Sequence, residues 1–342
     1  MNSIALADTT IGTPTAAEGG KPPASISLDL DNQWAYMKTH GDAGWESFPS
    51  YLDVLVPYAL EELKRLRLTV TFFVVGQDAA LHKNQAALGL LTQSGHEVGN
   101  HSFHHEQWVQ TFSRERIRAE ITDAAAAIMR ATGRIPRGYR GPGFSWSEDV
   151  LEVLADSGYE YDASTLPTYI GPLARMYYFR RTSLAGEEME KRGKLFGTFA
   201  DGRRPVRPYL WQLASGRRLL EIPVTTIPIV KTPFHLSYLL YLSRHSILLM
   251  TLYLRTALFL CRATRTEPSF LLHPLDLLGP EQAPGLAFFP GMELGAAHKR
   301  EVFRRVLGEI GRRFTPVTMG EHARRALRRT LPTRAAGAGA GR

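Results

Sequence analysis

Residues 25–31, Ser-Ile-Ser-Leu-Asp-Leu-Asp, alternate apolar and polar side chains, the period of a half-buried strand. Residues 50–66 change to helical spacing, with Leu52, Leu55, Val56, Leu60 and Leu63 on one face. A β-branched and aromatic run over 68–75 stops at Gly76 and predicts a buried strand. A helix over 84–94, a short strand over 97–100 and an Ala-rich helix over 114–132 follow. The last ends at Gly133, the residue type that a left-handed cap favours. A strand over 137–140 runs into Gly141-Pro142-Gly143-Phe144, where two glycines let a backbone pass close to a ligand. Then come a helix over 148–157 and a strand over 159–163. Residues 164–213, rich in Gly, Pro, Arg and Tyr, read as long loops. Strands over 219–224, 270–273 and 316–319 and a helix over 299–314 complete the pattern, with no internal repeat.

Strands alternating with helices predict a distorted parallel (β/α) barrel of α/β class. Such barrels carry their chemistry at the C-terminal ends of the strands. Asp29, Asp31, His101, Arg140, Asp162 and His273 all fall at expected strand ends.

The stretch from Gly95 to His105 places His96, Glu97, His101, His104 and His105 within a few positions. His101 and His105 are four apart, so on one helical turn their imidazoles share a face and can converge on an ion. A loop of solvated histidines has the same composition. Two neutral histidines leave a divalent ion short of a charged ligand. Asp29 and Asp31 leave one face of the first strand, and two like charges side by side call for a cation. A strand end running into solvent would also explain Asp31. For Arg140 and Asp162 a structural ion pair is the alternative.

Composition adds limits. Of 342 residues, 44% are hydrophobic and 22% charged, as in an ordinary folded core. The one cysteine, Cys261, excludes an internal disulfide. The first residues carry no basic and apolar leader, and 1–24 are expected to be a disordered lead-in, which makes a cytoplasmic enzyme the default. The net charge of +8 is uneven: from His298 onward twelve Lys or Arg face three Glu, so the preceding chain nets about −1. Aromatics are not interleaved with these charges, and no nucleic-acid partner is expected. Anionic lipid headgroups suit such a tail better, and a solvated basic helix is the plainer alternative.

Together Ser27-Leu-Asp-Leu-Asp31, His101-Ser-Phe-His-His105, Arg140-Gly-Pro-Gly-Phe144, Asp162-Ala-Ser164 and Leu271-Leu-His273 resemble the ordered motifs of the polysaccharide deacetylases, the NodB-homology family. The phrases Thr71-Phe-Phe-Val-Val-Gly76 and Gly95-His-Glu-Val-Gly-Asn100 resemble it too. The resemblance implies one divalent metal, zinc in many members, on Asp31, His101 and His105, with Asp29 as general base. It makes His273 the general acid, Asp162 a group that helps to hold it charged, and Arg140 a partner that orients the carboxylates. Gly143 and Phe144 would line the substrate, with a backbone N–H near Gly143 donating to the oxyanion. Two features depart from the common pattern. Leu30 separates the aspartates, and Gly141 and Gly143 stand where proline and an aromatic residue are usual.

Residues 234–262 form an apolar amphipathic helical insertion before the last motif. Ser237, Arg244, Thr251, Arg255 and Arg262 fall on one narrow helical stripe within it. No apolar run reaches the roughly 18 residues of a membrane span. A helix or helix pair in a membrane interface fits, as does one buried beneath long loops or in a dimer contact. The expected organisation is one catalytic domain over 25–332 and a disordered tail over 333–342. The expected reaction is hydrolysis of an N-acyl group, N-acetyl first, on an amino sugar. That sugar could be carried on a polyprenyl phosphate, with the protein peripheral on the cytoplasmic face of the inner membrane. The alternatives are a metal-dependent amidohydrolase for a small ureide or formamide, and a non-catalytic barrel that binds carbohydrate or lipid.

Overall fold

The computed structural model describes residues 20–170 and 201–337. Its centre is β1 (Pro23–Asp29), buried along its whole length. β1 pairs in parallel with β2 (Thr71–Val74), β8 (Ser269–Leu272) and, at its start, β9 (Thr315–Val317). From β2 the sheet continues through β3 (Glu97–Asn100), β4 (Gly138–Tyr139), β5 (Tyr161–Asp162), β7 (Arg218–Glu221), β6 (Tyr209–Gln212) and β10 (Thr333–Ala335). Every pairing is parallel except β6 with β7. The fold is thus the expected mostly parallel α/β sheet wrapped by helices. Its hydrogen-bonded path runs from β10 to β8. The Thr225 N–H donates to the Ser269 carbonyl at 3.0 Å, so the segment after β7 meets the start of β8.

The helices are α1 (Gln33–His40), α2 (Leu52–Leu66), α3 (Gly76–Ala80), α4 (His82–Gln93), α5 (Arg114–Thr132) and α6 (Glu148–Asp156). After β7 come α7 (Leu236–Ser243) and α8 (Ile247–Ala263), then α9 (Ala296–Arg313) and α10 (Met319–Leu327). α2 buries Leu52, Leu55, Val56 and Leu63, four of the five apolar positions read from its period. α5 begins where the Ser113 side chain accepts from the Arg116 N–H and ends at Gly133, whose φ of 71° needs no Cβ. Ile26, Leu28, Phe72 and Val74 join these helices in the main core, each worth roughly 1.5–3 kcal/mol when fully buried.

The alternation in β1 has a different meaning from the one expected. Ser25, Ser27 and Asp29 are buried too, because a parallel sheet is covered on both faces. Polar side chains line the inner face and satisfy one another. Ser25 Oγ lies 2.8 Å from His322 Nδ1, and Glu97 accepts from Thr71 Oγ1, Tyr161 Oη and the Gly320 N–H.

Several expectations need correction. Residues 333–335 are not a disordered tail, because they pair with β6 as β10. The lead-in over 1–24 ends early, since β1 starts at Pro23; its first nineteen residues and 338–342 lie outside the described residues. The loop region 164–213 contains β6 as an antiparallel partner of β7, and 171–200 lie outside the described residues. The basic C-terminal stretch is α9 and α10 docked on the body. There Arg304 pairs with Glu62, Arg312 and Arg313 with Glu309, and Arg329 with Glu267. Residues 234–262 are not one helix with one polar stripe: the chain breaks between Ser243 and Ile247, and α7 and α8 form the crossover from β7 to β8.

Candidate metal-centred active site

Three side chains converge at the C-terminal end of the central strands. His101 Nε2 lies 3.2 Å and His105 Nε2 2.9 Å from the same Asp31 Oδ1. All three residues are buried, and their ligand atoms lie within 4.8 Å of one another. Asp31 is held in place from behind. The Leu30 N–H donates to the Phe73 carbonyl, Tyr51 Oη donates to the Asp31 carbonyl at 2.5 Å, and Asn32 caps α1.

The two histidines do not share a helical turn. After β3 the chain forms a loop in which Ser102 (φ 59°) and His105 (φ 53°) are left-handed, a conformation that costs of order 1–3 kcal/mol each. Hydrogen bonds offset that strain. Glu120 on α5 accepts from the Phe103 and His104 N–H groups at 3.0 Å each, and Asn100 Oδ1 accepts from the Ser102 N–H at 2.9 Å. His101 Nδ1 donates to the Arg140 carbonyl at 2.6 Å, which leaves Nε2 with its lone pair toward Asp31. His105 Nδ1 is buried and has no partner.

The residues fit a divalent ion. Two imidazole nitrogens and one carboxylate oxygen are a donor set suited to zinc, with room in the coordination sphere for reactants. Burial alone would raise the Asp31 carboxyl, yet His105 and His101 hold it well below the usual range. His101 moves the other way: burial opposes its charge, but Asp31 and Asp29 raise it.

Asp29 lies beside this group and accepts from Arg140 Nη1 at 2.9 Å. Arg140 is fully buried, donates through Nε to the Ala163 carbonyl, and stands over the Phe73 ring at 4.6 Å. Its Nη2 has no partner. The turn that follows is pinned by the Gly141 N–H donating to Ser164 Oγ at 2.8 Å. A Cβ on Gly141 would stand 2.0 Å from the Ser145 carbonyl oxygen, so no other residue fits there. Gly143 and Phe144 both have φ of 60°; Gly143 is exposed and Phe144 half-buried.

Asp162 is not where the resemblance puts it. Among the described residues it makes no hydrogen bond or ion pair with His273. Its Oδ1 accepts from Ser164 Oγ at 2.5 Å, which fixes the 141–144 turn through Gly141. It also sits beside Glu221 across paired strand positions. Burial pushes both carboxyls up, and the charge of Asp162 adds to the rise at Glu221. Glu221 accepts in turn from Thr165 and from Trp211 Nε1.

His273 follows β8 and is only partly buried. Ser237 Oγ lies 3.5 Å from its Nδ1 and Asp276 Oδ2 3.9 Å, while the His235 ring centroid is 6.0 Å away. His96 accepts from the Val70 N–H at the opposite end of the sheet, Glu97 belongs to the inner seal, and His104 turns outward onto Glu120 at 2.6 Å.

Sequence reasoning missed Glu120, Asn100, Tyr51, Glu221, Ser237 and Asp276. Asp276 had a signal: it stands three residues after His273, across a proline, at the spacing of a capping carboxylate. Asn100 acts on Ser102 two residues on, and the others act over long sequence separations and carry no signal.

The polysaccharide deacetylase family matches residues 42–161, which include His101, His105 and Arg140 and leave Asp29, Asp31, Asp162 and His273 outside. The chain is 27% identical over 128 residues to a peptidoglycan deacetylase of Helicobacter pylori, covering 37% of this chain and 41% of that one. It is 34% identical over 112 residues to a peptidoglycan-N-acetylmuramic acid deacetylase of Bacillus subtilis, covering 32% and 41%. With a chitooligosaccharide deacetylase of a Bradyrhizobium species it shares 35% identity over 104 residues, covering 30% and 46%. The matched stretch thus spans less than half of each relative. A solved structure from Mycobacterium smegmatis, described as a candidate polysaccharide deacetylase, superposes with a TM-score of 0.57 at 19% identity, covering 96% of this chain and 98% of that one. That likeness bears on the fold.

Competition titration with a chromophoric chelator is expected to find one tight zinc site per chain. His101→Ala and His105→Ala should each weaken it by more than the roughly 10–100-fold that outer contacts are worth. His104→Ala, in contrast, should leave affinity within a few-fold. Unchanged affinity in both of the first two variants would remove the assignment.

Proposed function

Residues 42–161 belong to the polysaccharide deacetylase family, and on that premise we propose that the chain hydrolyses the N-acetyl amide of an amino sugar, using one zinc ion. The observation that carries this reading is the convergence of two imidazole nitrogens on one Asp31 oxygen, next to an Asp29 carboxylate held by a buried arginine.

Asp31, His101 and His105 hold the ion. When bound it supplies Lewis acidity, polarising an amide carbonyl and lowering the pKa of nearby water. Asp29 removes a proton from the attacking water, with Arg140 orienting its carboxylate. His273 delivers a proton to the departing amine nitrogen, so the C–N bond breaks to give a free amine and acetate. The turn at Gly143 and Phe144, held by Ser164 and Asp162, faces the acyl group, and an N–H near Gly143 donates to the developing oxyanion.

We further propose that the sugar is presented on a lipid, polyprenyl phosphate being the class in view, with the protein peripheral on the cytoplasmic face of the inner membrane. Leu248, Leu252 and Phe259 on α8 are 79%, 61% and 65% exposed, and Tyr241 on α7 adds to the same outward surface. From Ile222 to Thr266 the chain has no Asp or Glu, but Lys231, Arg244, Arg255, Arg262 and Arg265. An apolar surface on a segment without acidic residues suits an anionic bilayer, with Lys231 and Arg265 as its cations where Arg244 pairs with Glu293 and Arg255 with Glu309. Among the described residues no helix is long and apolar enough to cross one.

The zinc-loaded protein is expected to release acetate from N-acetylated amino-sugar oligomers, and Asp29→Asn to lower kcat by roughly 10²–10⁴-fold with zinc retained. Hydrolysis of a small formamide or ureide with no acetate released from any sugar would contradict the reading. For the lipid part, co-sedimentation with phosphatidylglycerol vesicles should be strong for the wild type and lost in the triple variant L248S/L252S/F259S. A wild type that stays in the supernatant would sink that part alone.

A further inference from the structure

We propose that Asp276, with Ser237 as the bridging hydroxyl, is the carboxylate that orients the His273 imidazole and holds its proton. The inference rests on the proton-donating part given to His273 above, and it moves to Asp276 a task that the family resemblance assigns to Asp162.

The geometry is built from three separate elements. The β8 strand ends at Leu272, and His273 opens a single 3-10 turn, Pro274–Asp276. This turn folds the Asp276 side chain back, and its Oδ2 accepts from the His273 N–H at 2.8 Å. The same oxygen lies 3.9 Å from His273 Nδ1, close enough for charge to act and too long for a direct hydrogen bond. Ser237, from the first turn of α7, fills the gap. Its Oγ is 3.5 Å from Nδ1, and its hydroxyl helps to offset the upward push of burial on the Asp276 carboxyl. In this arrangement Nδ1 faces both the Ser237 hydroxyl and the Asp276 carboxylate.

The turn is anchored so that its position does not depend on the substrate. Lys299 on α9 is fully buried, and its Nζ donates to the Leu275 carbonyl at 2.7 Å and the Leu278 carbonyl at 2.8 Å. Burial pushes Lys299 down to about 8, and Asp276 works against that shift. Burial likewise pushes the Asp276 carboxyl up, opposed by His273, Ser237, the His273 N–H and Lys299. The other groups facing this cluster are Tyr36, whose phenol burial keeps neutral, and His235, which burial pushes down to about 3 with His273 and Arg140 adding to the shift. Neither supplies a negative charge, and Glu293 and Glu281 act on the Lys299 side of the cluster. Asp162 is occupied with Ser164 and Glu221, so Asp276 is the carboxylate against His273.

The crossover between β7 and β8 acquires a second purpose from this contact. Its first helix carries Ser237 to the acid, so the apolar α7–α8 pair shapes the site as well as the surface.

The test follows the His273 imidazole by ¹⁵N-edited NMR pH titration in the zinc-loaded protein, alongside the pH profile of kcat/KM. A carboxylate beside an imidazole stabilises the charged form, so its removal lowers the imidazole pKa. Asp276→Asn is expected to bring the His273 midpoint down by about one pH unit. The alkaline limb of the profile should move the same way, and kcat should fall roughly 10–100-fold with KM little changed. Ser237→Ala should shift the midpoint in the same direction by less, and it serves alone if Asp276→Asn does not fold. Asp276→Glu should recover part of the loss. A His273 midpoint unmoved by both Asp276→Asn and Ser237→Ala, or moved further by Asp162→Asn than by Asp276→Asn, overturns the proposal. The NMR midpoint needs no turnover. A shift in Asp276→Asn without acetate release from any sugar therefore upholds the Asp276–His273 pair and counts against the reaction instead.

Discussion

The site depends on one buried carboxylate oxygen facing two imidazole nitrogens. A carboxylate in so dry a position needs positive charge or hydrogen bonds around it, and the groups that face Asp31 are the imidazoles of His101 and His105. The histidines reach it only because the loop after β3 adopts left-handed backbone at Ser102 and His105. Glu120 and Asn100 bind the loop's N–H groups and make that conformation tolerable. The carbonyl of Arg140 then sets the tautomer of His101, while the Arg140 guanidinium holds Asp29. One residue thus serves His101 through its backbone and Asp29 through its side chain.

The rest of the barrel-like sheet keeps this cluster at one end. Polar side chains on the inner face are paired at the opposite end by Glu97, Thr71, His322 and the start of α10. Asp162, beside Glu221 on the neighbouring strand, supports the Gly141 turn through Ser164. On the far side, Lys299 grips the turn that carries His273.

Much of this was legible in the chain. The strand over 97–100 and the helix over 114–132 were read to their ends, because turn residues and a clean apolar period mark both. The metal-binding trio was legible as residue types and spacing, and its backbone was not: the four-residue step suggested a helical turn, whereas left-handed backbone held by Glu120 makes the approach. Asp162 was given to His273 because motif order is visible in a sequence and distance is not. The β6 and β10 strands were hidden for another reason. β6 lies in a region with few apolar repeats, and β10 is an exposed three-residue edge whose pairing comes from a partner far away in sequence. The basic stretch after His298 looked like a tail because its acidic partners, Glu62 and Glu267, lie elsewhere in the chain.

The most direct test of the metal-centred account is an anomalous diffraction map of crystals grown with zinc, recorded on both sides of the zinc edge. The account predicts one strong peak per chain bounded by an Asp31 carboxylate oxygen, His101 Nε2 and His105 Nε2. A map with no peak there, or with the zinc bound at other side chains while Asp31 still contacts both imidazoles directly, would contradict it.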